Sequence, residues 1–211
     1  MTRFEVLVEG VSDVPAVREV LTRQFGLVEG QDFRIHPHRG RGKLPLNPLA
    51  MPDPRQPTLL HQLPAKLQGY SHWGPDVCVL VVIDADDTPC SELLAELRAM
   101  LLQLPKRPQR VLFRLAVEET ESWFIADLQA VRSAFPNAKL QRIRDIAPDS
   151  IVGAWERLAE AVGTPAQRGS PVDKVGWARR IAPYLDLQNP PSPSLAKFIE
   201  GVAREIKAGA Q

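Results

Sequence analysis

Acidic side chains in this 211-residue chain gather at a few places, and three of those places directly follow apolar runs. Glu9 follows Arg3 to Val8. Asp84 and Asp86 follow Val77 to Ile83. Glu118, Glu119 and Glu121 follow Val111 to Val117. Carboxylates brought together from separate stretches repel each other unless a cation neutralises them. An all-oxygen set of this kind suits Mg²⁺ or Mn²⁺ rather than zinc. Asp84 and Asp86 are two residues apart, so in an extended segment both side chains face one side and can share an ion, while Asp87 faces the other. An acid after a strand is also an ordinary helix cap or turn residue. That plain reading suits Glu118, because only some of three neighbouring glutamates can face one site.

A second constellation is basic. Arg39, Arg41 and Lys43 alternate with Gly40 and Gly42 in the loop that starts at His36. Glycines let backbone approach a phosphate and the cations would neutralise it. The Gly-x-x-x-x-Gly-Lys-Ser/Thr spacing of a nucleotide-binding loop is absent. His36 and His38 have no cysteine partner nearby, which argues against zinc. Cys78 falls inside an apolar run, and Cys90 has no base beside it in the sequence. Trp123 and Trp155 sit on apolar stripes and read as core.

The elements that must position these residues alternate in type. Residues 3–8 read as a strand, followed by a turn and a helix carrying Val14, Val17, Val20, Leu21 and Phe25 at helical spacing. Residues 32–36 read as a second strand and 58–69 as a helix. Val77 to Ile83 is an unbroken apolar run rich in β-branched residues, the signature of a strand buried on both faces. A helix capped by Ser91 follows, then the strand 111–117, then a helix through Trp123 and Val131. This alternation predicts an α/β fold, Rossmann-like, with a mostly parallel central sheet flanked by helices. Ligands of such sheets bind beyond the carboxyl ends of the strands, where Glu9, Asp84 and Asp86 all fall. After about residue 145 strand signals vanish, and three helical stretches remain, the last beginning at Ser192-Pro193. The expected organisation is an α/β domain over residues 1–140 and a helical C-terminal region over 141–211 packed on it.

Composition narrows the function classes. Lys and Arg total 26 and Asp and Glu 25, a net charge of +1, which excludes a polybasic nucleic-acid coat but not a local basic patch. Two cysteines cannot make a disulfide framework, and no apolar run is long enough to span a bilayer, so the expected compartment is the cytoplasm. The 20 prolines cluster at 37–64, 105–108 and 165–193 and mark loops.

Taken together, Val8-Glu9-Gly10-Val11-Ser12-Asp13 and Val82-Ile83-Asp84-Ala85-Asp86-Asp87 resemble the Toprim domain of topoisomerases, primases and nucleases of the overcoming-lysogenisation-defect class. That resemblance covers roughly residues 1–130. The stretch from Ala116 to Asp127, with Glu119, Glu121 and Trp123, together with Ser192-Pro193-Ser194-Leu195-Ala196-Lys197-Phe198, is similar to a narrower bacterial family. Its members are stand-alone Toprim-like proteins encoded beside ABC-type ATPases in phage-defence loci. The resemblance implies a Toprim fold and metal-dependent phosphodiester hydrolysis on nucleic acid, with Mg²⁺ or Mn²⁺ as cofactor and an ABC-type ATPase as partner. It implies that Asp84 and Asp86 hold one ion and that Glu9 holds a second or acts as general base. Glu119 or Glu121 would complete the shell. Neither Tyr70 nor Tyr184 falls near a strand end, so hydrolysis is expected rather than strand passage. A non-catalytic nucleic-acid- or ATPase-binding subunit and a nucleotide phosphohydrolase are the alternatives.

Overall fold

The computed structural model describes residues 2–163 and 172–210. Four strands form one all-parallel sheet: β1 (Arg3–Val8), β2 (Phe33–Pro37), β3 (Val77–Asp84) and β4 (Val111–Ala116), in the order β2-β1-β3-β4. β3 is buried from Val77 to Ile83, so its apolar run serves both faces of the sheet. Side-chain alternation divides those residues. Leu7, Val79, Val81, Ile83, Phe113 and Leu115 face one layer, and Phe4, Val6, Val8, Leu80, Val82 and Leu112 face the other.

The first layer is two crossover helices, α2 (Leu59–Gly69) and α3 (Cys90–Gln103). They contribute Leu59, Leu63, Leu67, Leu93 and Leu97 at spacings of four. α3 starts at Cys90 behind Pro89, one residue before the expected Ser91 cap. The second layer is larger. α1 (Asp13–Glu19) continues as a π-helical turn over Val20–Gln24. Then come α4 (Glu121–Ala126), α5 (Leu128–Ala134), α6 (Ala154–Val162), α7 (Lys174–Ile181) and α8 (Pro193–Ala208). One helix was expected after Glu121. Two form, because the Asp127 carboxylate accepts the N–H of Ala130 and caps a new helix, while its other oxygen accepts the N–H of Asp186.

The C-terminal helices share the sheet's core. Phe198 and Val202 of α8 pack with Trp123 and the even-numbered strand residues, and the Trp123 indole N–H donates to the Ser194 hydroxyl at 2.8 Å. Ser192 accepts the Leu195 N–H as the α8 cap, which explains the Ser-Pro start of that helix. Trp155 packs against the core but is only half-buried, and the Lys174 ammonium lies 5.4 Å from its ring.

Candidate acidic site at the carboxyl edge of the sheet

The β1-to-β2 connection leaves the sheet centre one way and the β3-to-β4 connection the other. The crevice between the carboxyl ends of β1 and β3 is therefore the topological switch point, where open parallel sheets bind ligands. Glu9 and Asp84 meet there. A Glu9 carboxylate oxygen accepts the backbone N–H of Asp84 at 2.9 Å, across 75 residues of sequence. Glu9 is buried, and its carboxyl is pushed up to about 8, first by burial and then by Asp13 and Asp86; the Asp84 N–H and Arg41 pull the other way. Asp84 is raised well above the ordinary range, again first by burial, then by Asp13, Glu9, Glu121 and Glu119.

Asp13 belongs to this group, although its sequence position reads as a helix cap. Its two oxygens accept the Gly10 N–H at 2.8 Å and the Thr120 hydroxyl at 3.0 Å. It is buried, and burial raises its carboxyl against those donors and Lys174. The signal that could have found it is its spacing: four residues after Glu9, across a Gly10 turn, it returns to the same crevice. Glu121, in the first turn of α4, is buried as well and is pushed up to about 8 by burial, with Glu119 and Asp13 adding to it and Lys174 opposing it.

Lys174 is the cation of the site, and no pattern in the sequence marks it. Its ammonium lies 3.1 Å from Glu119 and 3.6 Å from Glu121. Burial works against its charge, but Glu121, Glu119 and Asp84 outweigh burial and raise its pKa. Five carboxylates and one ammonium therefore converge from β1, α1, β3, the β4 exit and α7.

Asp86 and Glu118 turn their carboxylates to other partners, although Asp86 is near enough to raise the Glu9 carboxyl. Asp86 has a left-handed backbone (φ 47°), which breaks the extended alternation on which sharing an ion with Asp84 was reasoned. Its side chain is exposed and pairs with Arg41 at 2.8 Å. Glu118 is left-handed too (φ 62°), and the Asp86 N–H donates to the Glu118 carbonyl at 3.0 Å, tying the exits of β3 and β4 together. Two such residues store on the order of 1–2 kcal/mol each, an expense concentrated at the site's edge. The Glu118 carboxylate accepts the N–H groups of Gly153 (2.5 Å) and Ala154 (3.1 Å), so it caps α6.

The basic loop is folded against this edge. The Gly40 N–H donates to the Glu9 carbonyl, and the Gly40 and Arg41 carbonyls accept the first N–H groups of α2. Arg41 spans the gap: one amino group donates to the Ala85 carbonyl (3.0 Å) and to Asp86, the other to the Thr88 hydroxyl (2.9 Å). Arg39 and Lys43 are exposed and, among the described residues, form no ion pair. Gly42 has φ 68°, and a Cβ there would collide with the Thr58 side chain, so the loop path needs glycine at that position. His36 bonds Glu5 at 2.5 Å and His38 bonds the Val8 carbonyl at 2.8 Å.

The donor set of Glu9, Asp13, Asp84, Glu119 and Glu121 is all oxygen, which fits a hard divalent cation. Among the described residues no three His, Cys, Asp or Glu side chains are turned to hold one ion as they stand. The Glu9, Asp13, Glu119 and Glu121 carboxylates face backbone N–H groups, the Thr120 hydroxyl and the Lys174 ammonium instead.

Fold and site together define a parallel α/β domain with a carboxylate cluster at its switch point. The chain belongs to the family described as "Domain of unknown function (DUF4276)", which matches residues 8–203. Two structures of the C-terminal region of the OLD protein from Xanthomonas campestris pv. campestris are similar to it. The one phased with iodine is 15% identical, covers 100% of this chain and 97% of that one, and has a TM-score of 0.50, a likeness of fold. The one phased with mercury is 11% identical over 100% and 99%, with a TM-score of 0.48. No curated protein matches the chain.

Proposed function

We propose that this protein is a Mg²⁺- or Mn²⁺-dependent phosphodiesterase acting on nucleic acid. The observation that carries the reading is Asp84 at the switch point, close to Glu9, Asp13, Glu119 and Glu121: burial and mutual repulsion raise the carboxyls of Asp84 and Asp13 and push those of Glu9 and Glu121 up to about 8. Such a cluster is costly unless a cation enters it. Asp84, Glu9 and Asp13 would hold the ion, with Glu119 or Glu121 turning from Lys174 to complete its shell. A divalent ion supplies a polarised phosphate and a more acidic bound water. In the alternative role, not binding the ion, Glu9 would take a proton from the attacking water through the oxygen not bonded to the Asp84 N–H. Lys174 would offset negative charge as the reaction proceeds, and Arg39, Arg41 and Lys43 would hold flanking phosphates. Asp86, paired with Arg41, would set that arginine's position.

The same reading gives the protein an ABC-type ATPase as partner and a place in phage defence. Its support is the similarity of the stretches around Glu119 and Ser192 to the stand-alone Toprim-like family. One observation favours a second reading, a binding subunit without activity: Lys174 and Arg41 already neutralise part of the acidic edge. The test is cleavage of duplex DNA, single-stranded DNA and RNA with Mg²⁺ or Mn²⁺, with and without the ATPase. Cleavage by the parent and its loss in Asp84→Asn supports the enzyme. No cleavage under any condition, with nucleic-acid binding intact, supports the subunit.

A further inference from the structure

β4 is an edge strand, and its open edge lies at the bottom of a groove. The Val79 N–H donates to the Arg110 carbonyl and the Ala85 N–H to the Ala116 carbonyl, so even-numbered residues of β4 face β3. Parallel pairing then turns the backbone N–H and C=O groups of Val111, Phe113, Leu115 and Val117 outward. Among the described residues no strand pairs with that edge. Natural proteins protect such edges or use them to take up a strand. β2, the opposite edge, ends at Pro37, which has no N–H to offer.

The groove along β4 has a volume of about 200 Å³ and two unlike walls. The α3 wall is apolar: Cys90, Leu94, Phe113, Leu115 and Val117. The α8 wall carries Arg114, Ser194 and Lys197. Arg114 sits over Gly201, whose missing side chain leaves it room. One of its amino groups donates to the Phe113 carbonyl at 2.8 Å, while its Nε is buried with no partner. Lys197 is exposed and, among the described residues, forms no ion pair. The one acid in the groove, Asp149, is committed: its oxygens accept the Ser192 hydroxyl (2.9 Å) and the Ser194 N–H (2.6 Å). Burial and then Arg204 lower the Arg114 pKa, while Glu205, itself paired with Arg110, and Glu200 act in the opposite sense from the α8 surface beyond the groove lining.

We propose that this groove takes up an extended acidic segment of another protein as a fifth strand beside β4. The strand period dictates its sequence: apolar side chains against Leu94, Phe113 and Leu115 alternate with carboxylates against Arg114 and Lys197. A second copy of this chain fits poorly. Two β4 edges meeting about a twofold axis would set Arg114 and Lys197 against their own counterparts. The site is separate from the acidic crevice and does not depend on its chemistry.

The probe is a fluorescein-labelled, end-blocked decapeptide alternating valine and glutamate. Controls are the valine–lysine counterpart, a scrambled sequence, and the glutamate peptide methylated at every second backbone nitrogen. The glutamate peptide should bind about tenfold more tightly than the lysine peptide, a gap that attraction to half-buried Arg114 and exposed Lys197, replaced by repulsion in the lysine peptide, can supply. Lys197→Glu, an exposed change that leaves the melting curve in place, should abolish or reverse that preference. Amide exchange over residues 111–117 should slow when the peptide is added. Equal affinity for all four peptides, undiminished binding of the methylated one, or unchanged exchange over 111–117 would overturn the proposal. So would light scattering that shows a dimer broken by Lys197→Glu.

Discussion

Replacing Glu9 by glutamine should make the metal-free protein more stable at neutral pH and leave it unchanged in acid. In the folded chain the Glu9 carboxyl keeps its proton up to about pH 8, against an ordinary value of 4.5. A raised carboxyl contributes stability that is fully present below pH 4.5, declines as pH rises, and is lost by about pH 8. At 1.36 kcal/mol per pH unit, the part lost by pH 7 is about 3 kcal/mol, and above pH 8 about 5 kcal/mol. Glutamine imitates the protonated acid and keeps an oxygen to accept the Asp84 N–H, so it removes the loss without breaking that bond. For a chain of this length the gain at pH 7 corresponds to roughly 6–12 °C in Tm. Calorimetric melts of parent and Glu9→Gln at pH 4.5, 6, 7 and 8 in chelator would show two curves that coincide at the acid end and diverge steadily. Added Mn²⁺ should stabilise the parent at pH 7.5 and leave the variant nearly untouched. A gap of the same size at every pH, or a variant less stable at pH 8, would refute burial and carboxylate repulsion as the dominant forces at this position.

Lys174→Met should steepen the decline of metal-free stability above pH 7, since Glu121, now without its ammonium, is harder to ionise; urea titrations across pH would show it, with Mg²⁺ restoring part of the loss. Glu118→Ala should cost about 1–2 kcal/mol by uncapping α6, yet leave Mn²⁺ binding by calorimetry intact. Arg39→Ala with Lys43→Ala should flatten the salt dependence of duplex binding by about 0.9 per lost phosphate contact without moving the Tm. Arg41→Ala should lower both affinity and Tm, because that side chain also joins Ala85, Asp86 and Thr88.

The frame of the site was legible because strand periodicity and strand-end chemistry are local. Val77 to Ile83 cannot be solvated on either face, so a central strand there was forced, and the switch-point rule then placed Glu9 and Asp84 on one edge. The direction of Asp86 was not legible, because alternation holds only while the backbone stays extended. Its left-handed turn is fixed by a hydrogen bond to Glu118, a residue of another strand's exit. Asp13 was hidden by its resemblance to a helix cap, yet its carboxylate closes the turn before the helix instead, accepting the Gly10 N–H. Lys174 was invisible for a different reason. Its role comes from packing α7 against the sheet edge, and a lysine at the first position of a helix carries no periodic signal of its own. The break between α4 and α5 depends on Asp127, whose second oxygen is bound by the distant Asp186 N–H.

The pairing of Glu9 with the backbone of Asp84, and of both with the environment of Lys174, has a consequence for synthesis. A ribosome adds roughly 5–20 residues each second, so the interval between the first of these residues and the last is on the order of ten seconds or more. During that interval β1 has no β3 to lie against, and closing so long a loop is slow in any all-parallel topology. Unassembled, the acids are ordinary solvated carboxylates, ionised and far apart. The nascent chain therefore carries no acidic pocket until the segment around Lys174 has left the ribosome and packed against the sheet edge.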